Sequence, residues 1–370
     1  MSTGTPTRIL MTADTVGGVW TYALELTRAL QPYGIEVLLA VMGPPLSAAQ
    51  SADARSISNL NLFKSNYKLE WMPDCWSDVK HAGRWLLHLE NRLQPHLIHL
   101  NGYAHASLPW SSPTLVAGHS CVYSWFQAVK GNSPSTEWQH YKNEVKNGLN
   151  AADLVVAPSD AMMRALDTHY GPLNKRRVIP NGRNPDDFKH RSKRHFIFSA
   201  GRLWDEAKNI DRLVEVAPEL PWPVLVAGDL RGRAHSTHCH WLGSLPQSDL
   251  KRWFAAASVY ALPALYEPFG YTPLEAALSG CALVLGDIES LREVWGDAAV
   301  FVDPNDSRAL KDGLCELIEN PPHREVMSRR AHKRALEFTS DRMAQNYFAA
   351  YVELLDAKAN QEQENFAQCA

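Results

Sequence analysis

The chain has 370 residues, of which 45% are hydrophobic and 21% are charged, and its formal net charge at pH 7 is −3. These values predict a globular, water-soluble protein of about two domains. The near balance of charge argues against nucleic acid as the main partner. Six scattered cysteines without paired spacing fit a reducing compartment better than a disulfide framework.

The first half of the chain alternates short apolar runs with amphipathic stretches, which is typical of parallel α/β sheets. Apolar positions between Val19 and Leu30 recur at helical spacing. Ser159 has the position of a helix N-cap. The strands predicted in this half are residues 8–12, 35–41, 97–100, 114–117, 153–157 and 178–179.

A sharp turn at Pro180-Asn181-Gly182 and the polar segment after it indicate an interdomain linker. Further strands are predicted at residues 196–200, 223–227, 241–242, 259–262, 282–285 and 300–302, with helices starting at Ser307, Pro322 and Ser340. We therefore expect two Rossmann-like, doubly wound domains that face a cleft. The expected boundaries are residues 1–185 and 186–340, with a final helix at 341–358 that packs back toward the first domain.

Two adjacent glycines, Gly17 and Gly18, follow the first predicted strand and precede the first predicted helix. Glycine lets a backbone approach a ligand closely, and the start of a helix favours an anion. The alternative is an ordinary tight turn. The run does not match G-x-G-x-x-G, which argues against a dinucleotide fingerprint.

His119 follows the strand predicted at 114–117, so we expect its side chain at the cleft. A histidine there can also be purely structural. Arg202 and Lys208 lie between the first strand and the first helix of the second domain. A planar guanidinium fork and an ammonium point charge suit a diphosphate, although exposed loop cations are the alternative.

The segment 267–275, Glu-Pro-Phe-Gly-Tyr-Thr-Pro-Leu-Glu, places Glu267 and Glu275 eight positions apart across a glycine turn. Helical apolar spacing follows the turn. We expect the amides of Phe269, Gly270 and Tyr271 to fan out at a helix N-terminus and to hold an oxygen-rich ligand.

A structural alternative exists for the same segment. Residues 272–275 also match a capping box with proline at the first helical position. On that interpretation Thr272 and Glu275 would only secure the start of the helix.

Taken in chain order, these elements resemble the E-x7-E type of retaining nucleotide-sugar glycosyltransferases, in particular family 4 with the GT-B fold. The resemblance implies transfer of a hexose, first of all glucose, from a nucleoside-diphosphate sugar, first of all UDP. The acceptor would be a hydroxyl of a saccharide, a lipid-linked sugar or a small molecule. The resemblance further implies no cofactor and no metal, and the chain has no Asp-x-Asp pair.

The resemblance also implies roles for individual residues. Arg202 and Lys208 would hold the diphosphate and Glu275 the ribose, while Glu267 and His119 would lie near the transferred sugar. The loop with Leu245 would lie beside the base. The catalytic set is Glu267, His119, Arg202 and Lys208, and the donor-binding set is Gly17, Gly18, Arg202, Lys208, Leu245, Phe269, Gly270, Tyr271, Thr272 and Glu275.

Two positions depart from the family pattern. Ser120 stands where members often have Asp, which leaves a role for that position in doubt. Tyr271 replaces a smaller residue, so sugar selectivity is expected to differ. Among the tryptophans, Trp125 is a candidate for stacking on an acceptor sugar.

A dense group of possible metal ligands, His235, His238, Cys239 and His240, is expected to be a solvated loop. The adjacent Cys239 and His240 do not easily share one tetrahedral site, and no second ligand pair follows.

The sequence shows neither a signal peptide nor an apolar run of ~20 residues. We therefore expect a cytoplasmic protein, with peripheral contact at the inner membrane face left open. Two rival functions also stay open: a GT-B nucleotide-sugar epimerase, and a catalytically silent sugar-binding protein.

Overall fold

The structure is a computed structural model that describes residues 5–232 and 236–369, with side chains through residue 364. The first domain is built on a seven-stranded sheet in which every neighbouring pair is parallel. Its strands are β1 (Arg8–Asp14), β2 (Glu36–Met42), β3 (Leu60–Lys64), β4 (Leu97–Leu100), β5 (Thr114–Ala117), β6 (Leu154–Ala157) and β7 (Arg176–Val178). The strand order is β3-β2-β1-β4-β5-β6-β7.

The second domain is built on a six-stranded sheet that is also parallel throughout. Its strands are β8 (Arg194–Ala200), β9 (Val224–Ala227), β10 (His240–Gly243), β11 (Ala257–Leu262), β12 (Ala282–Gly286) and β13 (Val300–Val302). The strand order is β10-β9-β8-β11-β12-β13. Two doubly wound sheets confirm the predicted fold class.

Helices connect the strands and cover the sheets, as parallel connections require. In the first domain they are α1 (Gly18–Ala29), α2 (Ala48–Arg55), α3 (Trp76–Leu93), α4 (Val122–Lys130), α5 (Gln139–Ala151) and α6 (Asp160–Tyr170). After it come α7 (Ile210–Val216), α8 (Gln247–Ala256), α9 (Tyr271–Leu278), α10 (Glu289–Trp295), α11 (Ser307–Glu319), α12 (Pro321–Ala335) and α13 (Ser340–Cys369). Ser159 caps α6 as predicted, because its hydroxyl accepts from the amide of Met162.

Strand β3 has no counterpart in the sequence prediction. It pairs only with β2 at the edge of its sheet, and its residues are partly or fully exposed. An edge strand buries neither face completely, so it lacks the continuous apolar run that marks the inner strands.

The strand orders fix where a ligand can bind. In the first sheet β1 lies between β2 and β4, and in the second sheet β8 lies between β9 and β11. These are the switch points of doubly wound sheets, where ligands bind beyond the carboxyl ends of the strands. The loop with Gly17 follows β1 and the loop with Arg202 follows β8, so both emerge at switch points.

The chain passes between the domains twice, at neighbouring places. Arg183 and Thr339 form an isolated parallel bridge, and a Cβ on Gly182 would lie 2.2 Å from the carbonyl oxygen of Thr339. After this second passage, α13 packs on the core of the first domain through Tyr347 and Tyr351. The predicted boundaries at residues 185 and 340 stay predictions.

The docking of α13 depends on a buried hydrogen bond. The Tyr351 hydroxyl lies 2.7 Å from Nδ1 of His99, and Tyr22 contacts the other ring nitrogen at 3.2 Å. Burial lowers the pKa of His99 to about 3, so the ring is neutral at pH 7.

We expect Tyr351→Phe to lower the thermal midpoint by several degrees. A buried ring nitrogen that loses its partner costs roughly 1–3 kcal/mol. Differential scanning calorimetry measures the shift. Tyr33→Phe is the control, because its half-buried ring makes no hydroxyl hydrogen bond within the described residues. Equal midpoints for the two variants would contradict the expectation.

Candidate functional site

The loop between β11 and α9 brings Glu267 to the carboxyl end of the second sheet. Gly270 ends this loop with φ of 94°, a conformation that strains any residue with a Cβ. The Glu267 carboxylate pairs with Lys208 at an Oε2–Nζ distance of 2.5 Å, and each side chain is 14% exposed. The Ser290 hydroxyl donates to the Glu267 carbonyl oxygen at 2.7 Å, which fixes the loop.

Glu275 lies within α9, and its side chain is 4% exposed. Gln247 donates to its Oε1 at 3.1 Å, and the Arg183 guanidinium lies 3.0 Å from the same oxygen. Burial raises the pKa of Glu275, and the charge of Arg183 counteracts that rise. Arg183 was not singled out from the sequence.

The capping-box alternative for residues 272–275 is wrong. Gly270 precedes the helix, and no side chain caps α9 within the described part of the chain. The Thr272 hydroxyl instead accepts a hydrogen bond from Tyr260 at 2.7 Å. The carboxylate of Glu275 therefore has partners from other elements and no role at the helix start.

The loop after β8 carries both candidate cations. Arg202 pairs with Asp205 at 2.8 Å, and Lys208 ends the 3-10 helix Glu206–Lys208. Asp205 caps that helix by accepting from the amide of Ala207 at 3.1 Å. Burial acts to raise the pKa of Asp205, but the charges of Arg202 and Lys208 outweigh it and hold the pKa below its ordinary value.

Gly17 and Gly18 face the second domain. A Cβ on Gly17 would lie 2.5 Å from Nη1 of Arg202, and one on Gly18 would lie 3.7 Å from the ring of Tyr271. Gly17 has φ of 90° and ψ of −141°, a combination essentially restricted to glycine. The glycine turn therefore lets the backbone of one domain approach the guanidinium of the other.

His119 lies at the carboxyl end of β5, where the sequence predicts it. Its Nε2 is 2.8 Å from Oδ1 of Asn101. Because Nδ2 of Asn101 donates to the carbonyl of Thr12, Oδ1 is the acceptor and His119 carries its proton on Nε2. Burial lowers the pKa of His119 to about 4, so the ring is neutral at pH 7 and its Nδ1 can accept a hydrogen bond.

Three side chains of the predicted donor set point into protein cores. Leu245 is half-buried against the core of the second domain. Phe269 is 2% exposed, and Tyr271 packs against the first domain with a buried hydroxyl that finds no partner among the described residues. The rings of Phe269 and Tyr271 therefore anchor the turn before α9, and ligand binding by its amides stays a prediction.

Side chains of the first domain bond directly to the loops of the second. The pairs are Trp125 Nε1 to Asp205 Oδ1 at 3.0 Å, Ser124 Oγ with Tyr266 Oη at 2.7 Å, and Ser159 Oγ to the Pro268 carbonyl at 2.7 Å. The indole of Trp125 thus supports the loop of Arg202. The sequence analysis does not predict Tyr266 as a residue of this site, although its position next to Glu267 indicates that it lies there.

A cavity of about 50 Å³ lies at the carboxyl ends of β1 and β4, and its lining includes Asp14, Lys68, Glu70, Trp71 and Asn101. Burial raises the pKa of Asp14 to about 6. Glu70 accepts from two backbone amides, and Lys68 donates to backbone carbonyls. Asn101 joins this cavity to His119.

The predicted group of possible metal ligands is only partly described, because His235 lies outside the described residues. Cys239 is buried, and burial raises the pKa of its thiol to about 11. In the described ranges, no three His, Cys, Asp or Glu side chains come together as a metal site would require. Metal independence stays a prediction.

Comparison with known proteins shows a glycosyltransferase. Residues 16–187 match the family model "Glycosyltransferase Family 4", and residues 181–334 match "Glycosyl transferases group 1". The chain thus combines a domain similar to family 4 with a domain similar to group 1. The two matches together cover both domains and the cleft between them.

One relative of this glycosyltransferase is O-antigen chain mannosyltransferase B of Escherichia coli, 33% identical over 111 residues. That match covers 30% of this chain and 29% of the relative, so the chain spans less than a third of that protein's length.

Solved structures share the fold of this glycosyltransferase at low sequence identity. Sucrose-phosphate synthase from Thermosynechococcus elongatus has a TM-score of 0.78 and 18% identity, over 95% of this chain and all of that one. Anabaena HepE in complex with UDP-glucose has a TM-score of 0.75 and 17% identity, over 94% and 99%. These neighbours establish the GT-B fold. Within the described residues, no helix is both long and apolar enough to cross a bilayer.

Proposed function

We propose that this glycosyltransferase moves a hexose from a nucleoside-diphosphate sugar to an acceptor hydroxyl, with retention of the anomeric configuration. One observation carries the proposal. The loop after β8 carries Arg202 and Lys208, and Lys208 pairs with Glu267 on the loop that leads into α9, the helix of Glu275. Cations for a diphosphate and carboxylates for hydroxyl groups are what a sugar nucleotide requires.

UDP-glucose is the first donor to examine. HepE, which shares the fold, was solved with UDP-glucose, whereas the Escherichia coli relative is named a mannosyltransferase. The identities of the nucleotide base and of the sugar are therefore part of the proposal. GDP- and ADP-sugars are the alternatives.

In the proposed reaction the acceptor oxygen bonds to the anomeric carbon on the face from which the diphosphate departs. The bond between that carbon and the diphosphate oxygen breaks, and the acceptor proton passes to the departing phosphate. Arg202 and Lys208 stabilise the negative charge that develops there. The alternative of Glu267 as a covalent nucleophile is weaker, because Lys208 already pairs with its carboxylate at 2.5 Å.

On this proposal the other site residues orient the sugar. The neutral ring of His119 accepts a hydroxyl hydrogen through Nδ1, and Glu267 and the amides at Gly270 and Tyr271 contact the opposite side. The glycine turn at Gly17 leaves room for the diphosphate beside Arg202.

The cavity beside Asn101 suits a hydroxyl group at the end of a carbohydrate acceptor, because about 50 Å³ is less than a whole sugar ring needs. Asp14 and Asn101 offer oxygens to such a hydroxyl group. The ammonium of Lys68 is directed at backbone carbonyls of its own loop. The lining therefore favours a neutral saccharide end over a phosphorylated one.

Lys208→Ala is expected to weaken diphosphate binding at least tenfold. It removes a cation and leaves the Glu267 carboxylate unpaired, where it repels the ligand. Titration calorimetry with UDP, GDP and ADP measures the affinities. Lys311→Ala, which removes a lysine paired with Glu219 outside the cleft, is the control. If the wild type binds none of the three nucleotides, the proposed function fails.

Arg202→Ala should reduce turnover about 10²–10³-fold, because it removes a donor aimed at the developing charge. Arg212→Ala is a closely matched control. The Arg212 and Arg202 side chains are 38% and 39% exposed, and each pairs with an acid three residues later in the sequence. Loss of activity in EDTA would reveal a metal requirement. Product analysis without an acceptor would reveal epimerisation of the donor. Equal turnover in the two variants would exclude the proposed role of Arg202.

Gly17→Ala should weaken UDP binding more than Gly131→Ala does. Both glycines have positive φ, but a Cβ meets Arg202 only at Gly17 and finds open space at Gly131. Gly17→Ala also carries the larger backbone strain, because Gly17 has ψ of −141° and Gly131 has an ordinary left-handed conformation. Thermal midpoints and UDP titrations of both variants separate backbone strain from displacement of Arg202. Similar affinities would count against a contact between this turn and the diphosphate.

A further inference from the structure

Arg183 lies where the two passages between the domains meet. Its amide donates to the carbonyl of Phe338 at 3.1 Å, and its carbonyl accepts from the amide of Ser340 at 3.0 Å. The backbone of Arg183 is thus held by both connections. Its side chain leaves this point toward the cleft.

The Arg183 side chain links a helix of each domain. Its guanidinium lies 2.5 Å from Glu25 of α1 and 3.0 Å from Glu275 of α9. The three side chains, Glu25, Arg183 and Glu275, form what we call the linker triad. Their exposed fractions are 4%, 5% and 4%, far below those of the surface ion pairs. Glu25 also accepts from the amide of Asn184 at 2.8 Å.

Burial makes the triad energetically demanding. An isolated charge in such a place is strongly unfavourable, and removal of one partner of a buried pair is more costly than loss of a surface pair. Without Arg183, two carboxylates of like charge would face each other. The burial of Arg183 acts to lower its pKa, but Glu275 and Glu25 outweigh burial and raise it, so the guanidinium stays charged.

The polar contacts of the Glu275 carboxylate involve one of its two oxygens. The hydrogen bond from Gln247 and the closest approach of Arg183 both fall on Oε1. A carboxylate has further acceptor capacity on its second oxygen. The proposed function requires this carboxylate to accept ribose hydroxyl groups, so its ionisation and its orientation both matter.

We propose that Arg183 is a positioning residue that favours the charged form of Glu275 and aims it at the donor, and that it couples donor affinity to the juxtaposition of the domains through Glu25. This inference rests on the proposed function, in which Glu275 binds the ribose. Arg183 itself needs no contact with the substrate. Its effect passes through Glu275 on one side and α1 on the other.

Several groups face Glu275 and enter its titration. Arg183 approaches from the linker, Glu25 from α1 and Lys251 from α8. Tyr271 of α9 and Tyr260 of β11 are also close enough to interact with it. Arg183 opposes protonation of Glu275, so its loss raises the pKa of Glu275 further. Donor affinity then begins to fall at a higher pH.

The test compares UDP binding of the full chain by calorimetry between pH 5.5 and 8.5. We expect Arg183→Gln to weaken binding at least tenfold at pH 7 and to move the acidic loss of affinity to higher pH. Arg183→Lys, which keeps the charge, should restore much of both. Arg177→Gln is the control, because Arg177 joins Glu353 of α13 in a half-exposed pair.

The outcomes are distinguishable. If the wild type binds UDP and Arg183→Gln binds it with the same affinity and the same pH profile, this inference alone is overturned. A wild type that binds no nucleoside diphosphate overturns the proposed function, and the inference with it. If Arg183→Gln does not fold, the double variant Glu25→Gln with Arg183→Met removes one charge of each sign. It should show a smaller upward shift, because Glu25 itself raises the pKa of Glu275. An unshifted profile in the double variant contradicts the role of Arg183.

Discussion

Every strand in both sheets runs parallel to its neighbours, and the rest of the molecule depends on this constraint. Parallel strands all end at one edge, so each sheet delivers its ligand-binding loops to the same side. The loops at the two edges contact each other, as Gly17 beside Arg202 and Trp125 bonded to Asp205 show. The glycine turn after β1 thereby lies next to Arg202 after β8, although about half of the sequence separates them.

Three cations of the cleft are each paired with an acid. Arg202 pairs with Asp205, Lys208 with Glu267, and Arg183 with Glu275, with 39%, 14% and 5% of the cation side chain exposed. Exposed pairs are weak and exchange partners at little cost, whereas a buried pair is costly to break. On the proposed function, a diphosphate would therefore bind Arg202 most readily, and Arg183 would keep its partners.

Much of this arrangement could be predicted from the sequence, because its signals are local. The glycines at 17 and 18, the loop of Arg202 and the turn before Tyr271 all lie next to strands with clear apolar runs. The structure places these elements together in one cleft. Whether each residue performs its predicted role stays a prediction.

Other features depended on contacts between distant parts of the chain and had no local signal. In the sequence, Arg183 resembles an ordinary linker residue. Its partners Glu25 and Glu275 lie 158 and 92 positions away. The capping-box motif at residues 272–275 was locally convincing, but Gln247 and Arg183 engage Glu275 instead. Tertiary packing excluded the structural one of two interpretations that the sequence alone supported equally, and the ligand-binding one stays a prediction.

The two connections also limit how the domains can move. Gly182 packs against the carbonyl of Thr339 with no room for a Cβ, so the connections cannot slide past each other freely. Domain opening would therefore be a rotation about this point, and such a rotation would move Glu25 relative to Glu275. The guanidinium of Arg183, which contacts both carboxylates here, would have to follow that motion or lose a partner. On the proposed function, the donor site and the domain arrangement therefore share one buried guanidinium.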